Sequence, residues 1–179
     1  NIRISRELTG CADKVMKYVY GNTLIISPPG CGKTTILRDI IRQISNQGIN
    51  ISVVDERCEI SGMYLGNIQF DLGICTDVLC CYSKSIGMNM MLRSMGPKII
   101  AVDEIGSDED ILAIHNLLNS GVKIIATIHC DTIENILQKP FIENIVKEKI
   151  FDSYIILNNN KKTGDLYKIY DKELNIVWQ

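Results

Sequence analysis

Residues 23–46 read Thr23-Leu24-Ile25-Ile26-Ser27-Pro28-Pro29-Gly30-Cys31-Gly32-Lys33-Thr34-Thr35-Ile36-Leu37-Arg38-Asp39-Ile40-Ile41-Arg42-Gln43-Ile44-Ser45-Asn46. A short apolar run enters a Pro/Gly turn. Apolar residues then recur at helical spacing from Ile36 to Ile44, and Gly48 follows as a stop. Strand, glycine-bearing loop and helix is the context that a phosphate-binding loop needs. Backbone N–H groups from Pro29-Gly30-Cys31-Gly32 to Lys33-Thr34-Thr35 can converge on phosphate oxygens, and the helix start adds its positive dipole end. Lys33 is placed to reach the β- and γ-phosphates of ATP, and the Thr34 hydroxyl to ligate Mg²⁺. Ser27 stands where such loops carry their first glycine, and Pro28-Pro29-Gly30 supplies a stiff turn instead.

Working outward, three further apolar runs end in polar tips. Ile99-Ile100-Ala101-Val102 ends in Asp103-Glu104. Paired with the loop upstream, Asp103 reads as the holder of the Mg²⁺ shell and Glu104 as the general base that polarises water. Ile51-Ser52-Val53-Val54 ends in Asp55-Glu56-Arg57, with Glu59 close behind. Glu56 and Glu59 are candidates for contact with Mg²⁺, water or ribose, and Arg57 for neutralising phosphate charge in its own subunit or the next. Ile124-Ile125-Ala126 leads to Thr127 and His129, which are placed to sense the γ-phosphate.

The remaining pattern fills in an α/β chain. Leu8–Tyr20 has helical spacing and predicts a leading helix. Helices are also expected over 34–46, 87–95, 108–119, 133–138 and 140–149, the third capped by Ser107 with Asp110 in its first turn. Strands are expected over 23–27, 50–55, 98–103 and 122–128. Residues 153–157 and 166–170 form a hairpin around the polar turn 158–164, and a last strand covers 175–178. Residues 61–90 are rich in Gly, Asn, Cys and Met with weak periodicity, and read as loops and short elements. Arg38 and Arg42, a helical turn apart, read as a solvated face. Alternating strands and helices predict a mostly parallel sheet flanked by helices, of the RecA/AAA-like P-loop type, with a C-terminal β-hairpin.

Composition bounds the function. The chain has 179 residues and reads as one domain. Its net charge of −2 argues against a broad nucleic-acid surface, so no nucleic-acid partner is expected. No apolar run approaches a membrane span, so any membrane association is peripheral. The seven cysteines include no C-x-x-C pair and read as reduced residues of a cytosolic protein. The chain starts at Asn1 rather than Met and reads as the C-terminal part of a longer protein.

Two resemblances rest on these segments. Leu92-Arg93-Ser94-Met95-Gly96-Pro97 before the acidic tip, the Thr127–His129 box and the acids Asp55, Glu56 and Glu59 resemble the type II and type IV secretion ATPases. Arg57 departs from the proline usual there, and Asp103 from the glycine. Residues 1–7 (Asn1-Ile2-Arg3-Ile4-Ser5-Arg6-Glu7), 27–42, 52–57 and 99–106 resemble the C-terminal ATPase domain of the stage III sporulation protein AA family. Cys80-Cys81-Tyr82-Ser83-Lys84 departs from the Gly-Cys-Pro-Lys expected in that family, leaving this loop without a role. The resemblance implies a homo-oligomeric ring, a hexamer, on the mother-cell cytoplasmic side of the outer forespore membrane. It implies work with membrane proteins of the same sporulation-stage complex. A nucleic-acid-dependent ATPase and a nucleotide-gated binding module with negligible turnover are the alternatives the residues leave open.

Overall fold

In this computed structural model, residues 7–137, 140–158 and 166–179 are described. Strands β1 (Thr23–Ser27), β2 (Ile51–Asp55) and β6 (Ser153–Leu157) are buried along their whole length. That is why they read as unbroken apolar runs rather than as alternating ones. With β3 (Thr76–Cys80), β4 (Ile99–Val102), β5 (Lys123–His129), β7 (Leu166–Asp171) and β8 (Ile176–Trp178) they make one sheet, ordered β3-β2-β4-β5-β1-β6-β7-β8. Every pairing from β3 to β6 is parallel, while β7 and β8 add antiparallel at one edge.

Alternate residues of each strand serve opposite faces. Leu24, Ile26, Val102 and Ile128 pack beneath helices α2 (Lys84–Ser94), α3 (Asp108–Asn119), α4 (Ile133–Leu137) and α5 (Pro140–Lys147). Ile25, Val53, Ala101 and Ile125 pack against Ile36, Leu37, Ile40, Ile41 and Ile44 of α1 (Lys33–Ser45). Gly87 lets α2 lie close on β2, since a Cβ there would come within 2.4 Å of a Val54 methyl. Helix α3 starts on a capping box: Ser107 Oγ accepts from the Asp110 N–H, and the Asp110 carboxylate accepts from the Ser107 N–H.

Two expectations fail for identifiable reasons, the leading helix and the solvated face of Arg38. The leading helix is a run of turns ending in a 3₁₀ turn, Met16–Tyr18. Asp39 of α1 accepts the Ala12 N–H at 2.8 Å, so this backbone is tied to α1 rather than to a ladder of its own. The helical spacing of Ala12 and Val15 was real burial, but against α1. Within 61–90, expected to hold loops and short elements, Thr76–Cys80 is a short, half-exposed strand at the sheet edge. Arg38 is not on a solvated face; it is only 4% exposed. Its guanidinium donates to the Glu59 and Ile60 carbonyls, both at 2.8 Å, and lies 3.8 Å from the centre of the Phe70 ring. The segment 1–7 quoted for the family resemblance lies outside the described residues except for Glu7, as does 159–165 of the hairpin turn.

Two buried side-chain hydroxyls, those of Ser52 and Tyr154, have no hydrogen-bond partner among the described residues. Tyr154 packs edge-on to Phe151 at 6.0 Å between ring centres, and its hydroxyl makes no hydrogen bond among the described residues. Burial, with the nearby Asp152 charge, pushes that phenol up to about 12. Removing an unsatisfied buried hydroxyl relieves a desolvation penalty. Tyr154→Phe is therefore expected to raise unfolding free energy by about 1 kcal/mol in a urea titration. A comparable loss of stability would mean the hydroxyl is satisfied.

Candidate active site

The site is built where β1, β4, β5 and β2 end. Ser27 at the end of β1 is in register with His129 at the end of β5, so the loop that follows β1 begins beside the histidine. Gly30 and Gly32 take positive φ values of 80° and 94°, which L side chains adopt only with strain. A Cβ at Gly30 would meet nothing within 4 Å, so this glycine serves the backbone turn and not packing. Gly32 is the N-cap of α1 and offers no side-chain cap. The first N–H groups of a helix have no partner within it.

Lys33 is buried at the first position of α1, with 4% exposure. Its ammonium lies 3.4 Å from the Ser27 and Pro28 carbonyls and 2.7 Å from His129 Nδ1. Burial pulls the Lys33 pKa down, and the charges of Asp103 and Glu104 oppose that pull. Since an ammonium can only donate, Nδ1 accepts from Lys33, and Nε2 carries the proton it gives to Glu104 Oε1 at 2.5 Å. His129 therefore bridges the lysine and the carboxylate.

The acidic tip is held by β5. Thr127 is fully buried. Its hydroxyl donates to Asp103 Oδ1 and accepts the Glu104 N–H at 2.9 Å, while its carbonyl accepts the Ile105 N–H at 2.9 Å. Asp103 Oδ2 accepts the Thr34 hydroxyl at 2.6 Å, tying the P-loop helix to the tip of β4. Glu104 takes φ of 55°, a left-handed conformation uncommon for a residue with a side chain. Arg57 reaches its other oxygen, Oε2, at 3.1 Å. Burial pushes the Glu104 carboxyl up, but the His129 hydrogen bond and the Arg57 and Lys33 charges hold it below the ordinary range.

The loop after β2 divides its acids. Asp55 is buried and accepts from the Ile60 N–H, the Ser61 N–H and the Ser61 hydroxyl, so it organises the loop. Glu56 pairs with Lys84 at 2.5 Å. Glu56, Arg57, Glu59, Lys84, Asp103 and Glu104 line one cleft. Thr35 is set apart from it: it lines a shallow depression with Thr9, Arg38 and Asp39. Arg93 lies in an open groove between α2 and α3 with Asn89 and Asn116, apart from the strand tips. Sequence reasoning missed Lys84 and the structural part of Arg38. The near-continuous burial of α1 carries the only trace of the latter, since a helix buried past its apolar stripe must be covered by loops.

Known proteins share this architecture and sequence. The family described as sporulation stage III, protein AA, matches residues 1–177. Stage III sporulation protein AA of Bacillus subtilis (strain 168) is 40% identical over 187 aligned positions, covering 99% of this chain. The chain spans 61% of that relative's length. Among solved structures, the pilus retraction motor PilT with bound ADP superposes with a TM-score of 0.63 at 17% identity, over 87% of this chain and 49% of that one. The ATPase DotB of Legionella pneumophila gives 0.61 at 17% identity, over 80% and 43%. The fold is therefore the RecA-like one of the secretion ATPases.

Two outcomes follow from the geometry. Thr127→Val leaves the Glu104 N–H and the Asp103 carboxylate short of a partner. It is expected to cost about 1–3 kcal/mol in chemical denaturation; an unchanged midpoint would show that water replaces the hydroxyl. The Glu104 value is depressed on folding from 4.5, so its stabilisation is full above that pH and is lost as pH falls through the lower folded value. Glu104→Gln should flatten the acid limb of a stability-versus-pH curve in that window and leave the neutral limb parallel to wild type. An unaltered acid limb would place the coupling elsewhere.

Proposed function

The chain belongs to the sporulation stage III protein AA family, and from that membership and the strand-end geometry we propose that it is the ATPase domain of a Mg²⁺-dependent motor. The observation that carries the reading is the Thr34–Asp103–Thr127 linkage beside a buried Lys33. It gathers a lysine and a hydroxyl from the start of α1 and an acidic tip from β4, joined through Thr127 of β5, and the lysine, hydroxyl and acid are the set that phosphoryl transfer uses.

The donors fit a triphosphate with a hard divalent ion. The amides from Gly30 to Thr35 and the Lys33 ammonium would hold phosphate oxygens. The Thr34 hydroxyl and Asp103 supply oxygen ligands of the kind Mg²⁺ takes, directly or through water. Held by these residues, Mg²⁺ would supply charge neutralisation at the phosphates. Lys33 then exchanges its His129 and carbonyl partners for phosphate. His129, released from Lys33, retains Glu104 through Nε2–H and reports the exchange to the base.

Glu104 is the general base: an ionised carboxylate whose left-handed backbone and Thr127-anchored N–H fix where its oxygens point. It accepts the proton of the attacking water. Arg57 is 68% exposed, so its bond to Glu104 is screened and readily exchanged for another partner. Arg57 thus serves either its own site or that of a neighbouring subunit, where an arginine supplied in trans is worth roughly 10³–10⁵ in rate. Glu56 and Glu59 complete the wall of the cleft. The whole protein would act as a ring, a hexamer. It would sit in the mother-cell cytoplasm against the outer forespore membrane, without entering it, and drive the membrane proteins of one sporulation-stage complex. No helix among the described residues is long and apolar enough to cross a membrane.

Steady-state hydrolysis of ATP against protein concentration tests the proposal. Turnover per chain is expected to rise with concentration and to fall by about 10²-fold or more in Glu104→Gln, the scale of a lost general base. Concentration-independent turnover that survives Glu104→Gln would overturn both the base and the shared-site assignments.

A further inference from the structure

The stretch Cys80-Cys81-Tyr82-Ser83-Lys84 plays no part in the chemistry above except through Lys84, yet it carries two thiols to the edge of the active-site loop. Strands β2 and β3 pair in parallel with Asp55 opposite Cys80. Past this point the two chains turn away from the sheet together. The N–H groups of Cys58 and Cys81 both donate to the Asp55 carbonyl, each at 3.3 Å. One oxygen thus anchors both backbones, and the Cys58 and Cys81 sulfurs lie 3.6 Å apart. A disulfide needs about 2.05 Å between sulfurs. Closing the gap requires the two side chains to move together, and both residues are at loop positions rather than inside a helix or strand.

The neighbouring Cys80 is differently engaged. Its sulfur lies 3.4 Å from the Ser61 hydroxyl, which itself donates to Asp55. Cys81 is the exposed member of the group and Cys58 is half-buried. None of the seven cysteines is in a disulfide, and Cys31 and Cys130 are buried.

We propose that Cys58 and Cys81 form a reversible intramolecular disulfide that clamps the Asp55–Glu59 loop to the β3–α2 turn. The co-reactant is a low-molecular-weight disulfide, RSSR. The Cys81 thiolate, having lost its proton to solvent, attacks one sulfur of RSSR and forms a mixed disulfide, expelling RS⁻, which is protonated to RSH. The Cys58 thiolate, its proton likewise released, attacks the Cys81 sulfur of that mixed disulfide. The S–S bond to R breaks, Cys58–Cys81 forms, and a second RSH leaves. The two protein thiols are oxidised and RSSR is reduced to two RSH. Burial and the adjoining Cys81 and Cys80 thiols push Cys58 up to about 12, which makes closure slower than capture. The clamp ties down the loop that presents Glu56 and Arg57 to the cleft. The bond itself does not depend on the nucleotide chemistry, so it stands or falls separately from the ATPase reading.

The test uses the reduced protein in glutathione buffers of increasing oxidised fraction, with acid quenching, alkylation and peptide mass mapping. Free thiols counted in denaturant are expected to fall from seven to five, with a single linked pair joining the peptides that hold Cys58 and Cys81. Dithiothreitol should restore all seven. Cys58→Ser should instead stop at a glutathione adduct on Cys81, and Cys81→Ser should lose neither Cys58 nor any other pair. Trypsin cleavage after the exposed Arg57 should slow in the oxidised wild type and not in either variant. Seven surviving thiols, a Cys58–Cys80 link, random pairing or disulfide-linked dimers would each overturn the proposal.

Discussion

The hydroxyl of Thr127 is the group on which the rest of the site depends. Strand β5 lies between β1, which delivers the P-loop, and β4, which delivers the acids. The loop and the acids are therefore not neighbours through the backbone. A side chain from the intervening strand can hold the acids in place for the loop to reach, provided it is short, polar and buried. Thr127 meets all three conditions, donating to Asp103 and accepting from the Glu104 N–H. Thr34 completes the link from the other side. Because alternate strand residues share a face, His129 follows Thr127 onto the same edge and reaches both Lys33 and Glu104.

This arrangement also sets the electrostatics. A buried ammonium is unfavourable alone, and the pull of Asp103 and Glu104 keeps it tolerable. Glu104 in turn is held ionised by His129, Arg57 and Lys33 against its own burial. The lysine is thus matched by acceptors that a phosphate could replace, and an exchange of its partners would be felt at Glu104 through His129. Arg57 differs in this respect. It is exposed, and solvent weakens its ion pair with Glu104.

Much of this was legible in the sequence. The P-loop, the acid tips and the Thr127–His129 box sit on strands whose apolar runs leave little choice of structure, and the bounds of β1 and α3 agree with expectation to the residue. What was not legible was decided by tertiary contact. The periodicity of residues 8–20 described burial against α1, and Asp39 captured the backbone that a helix would have used. Strand β3 is short and half-exposed at the sheet edge. Arg38 is polar by type yet buried by position, because Phe70 and two loop carbonyls from distant sequence close over it. The split of labour among Asp55, Glu56 and Glu59 also needed the fold: spacing shows three acids, and only geometry shows that Asp55 spends its oxygens on Ile60 and Ser61.

Calorimetric binding of ATP with and without Mg²⁺, in wild type and in Lys33→Ala and Thr34→Ala, tests most directly the claim that this strand-end cluster is a nucleotide site. The account predicts saturable binding that tightens with Mg²⁺. Lys33→Ala should weaken it about tenfold or more, and Thr34→Ala should remove the Mg²⁺ dependence while a weaker metal-free component survives, as expected for lost charge-assisted contacts. Binding of equal affinity in all three proteins, or none in wild type, would contradict it.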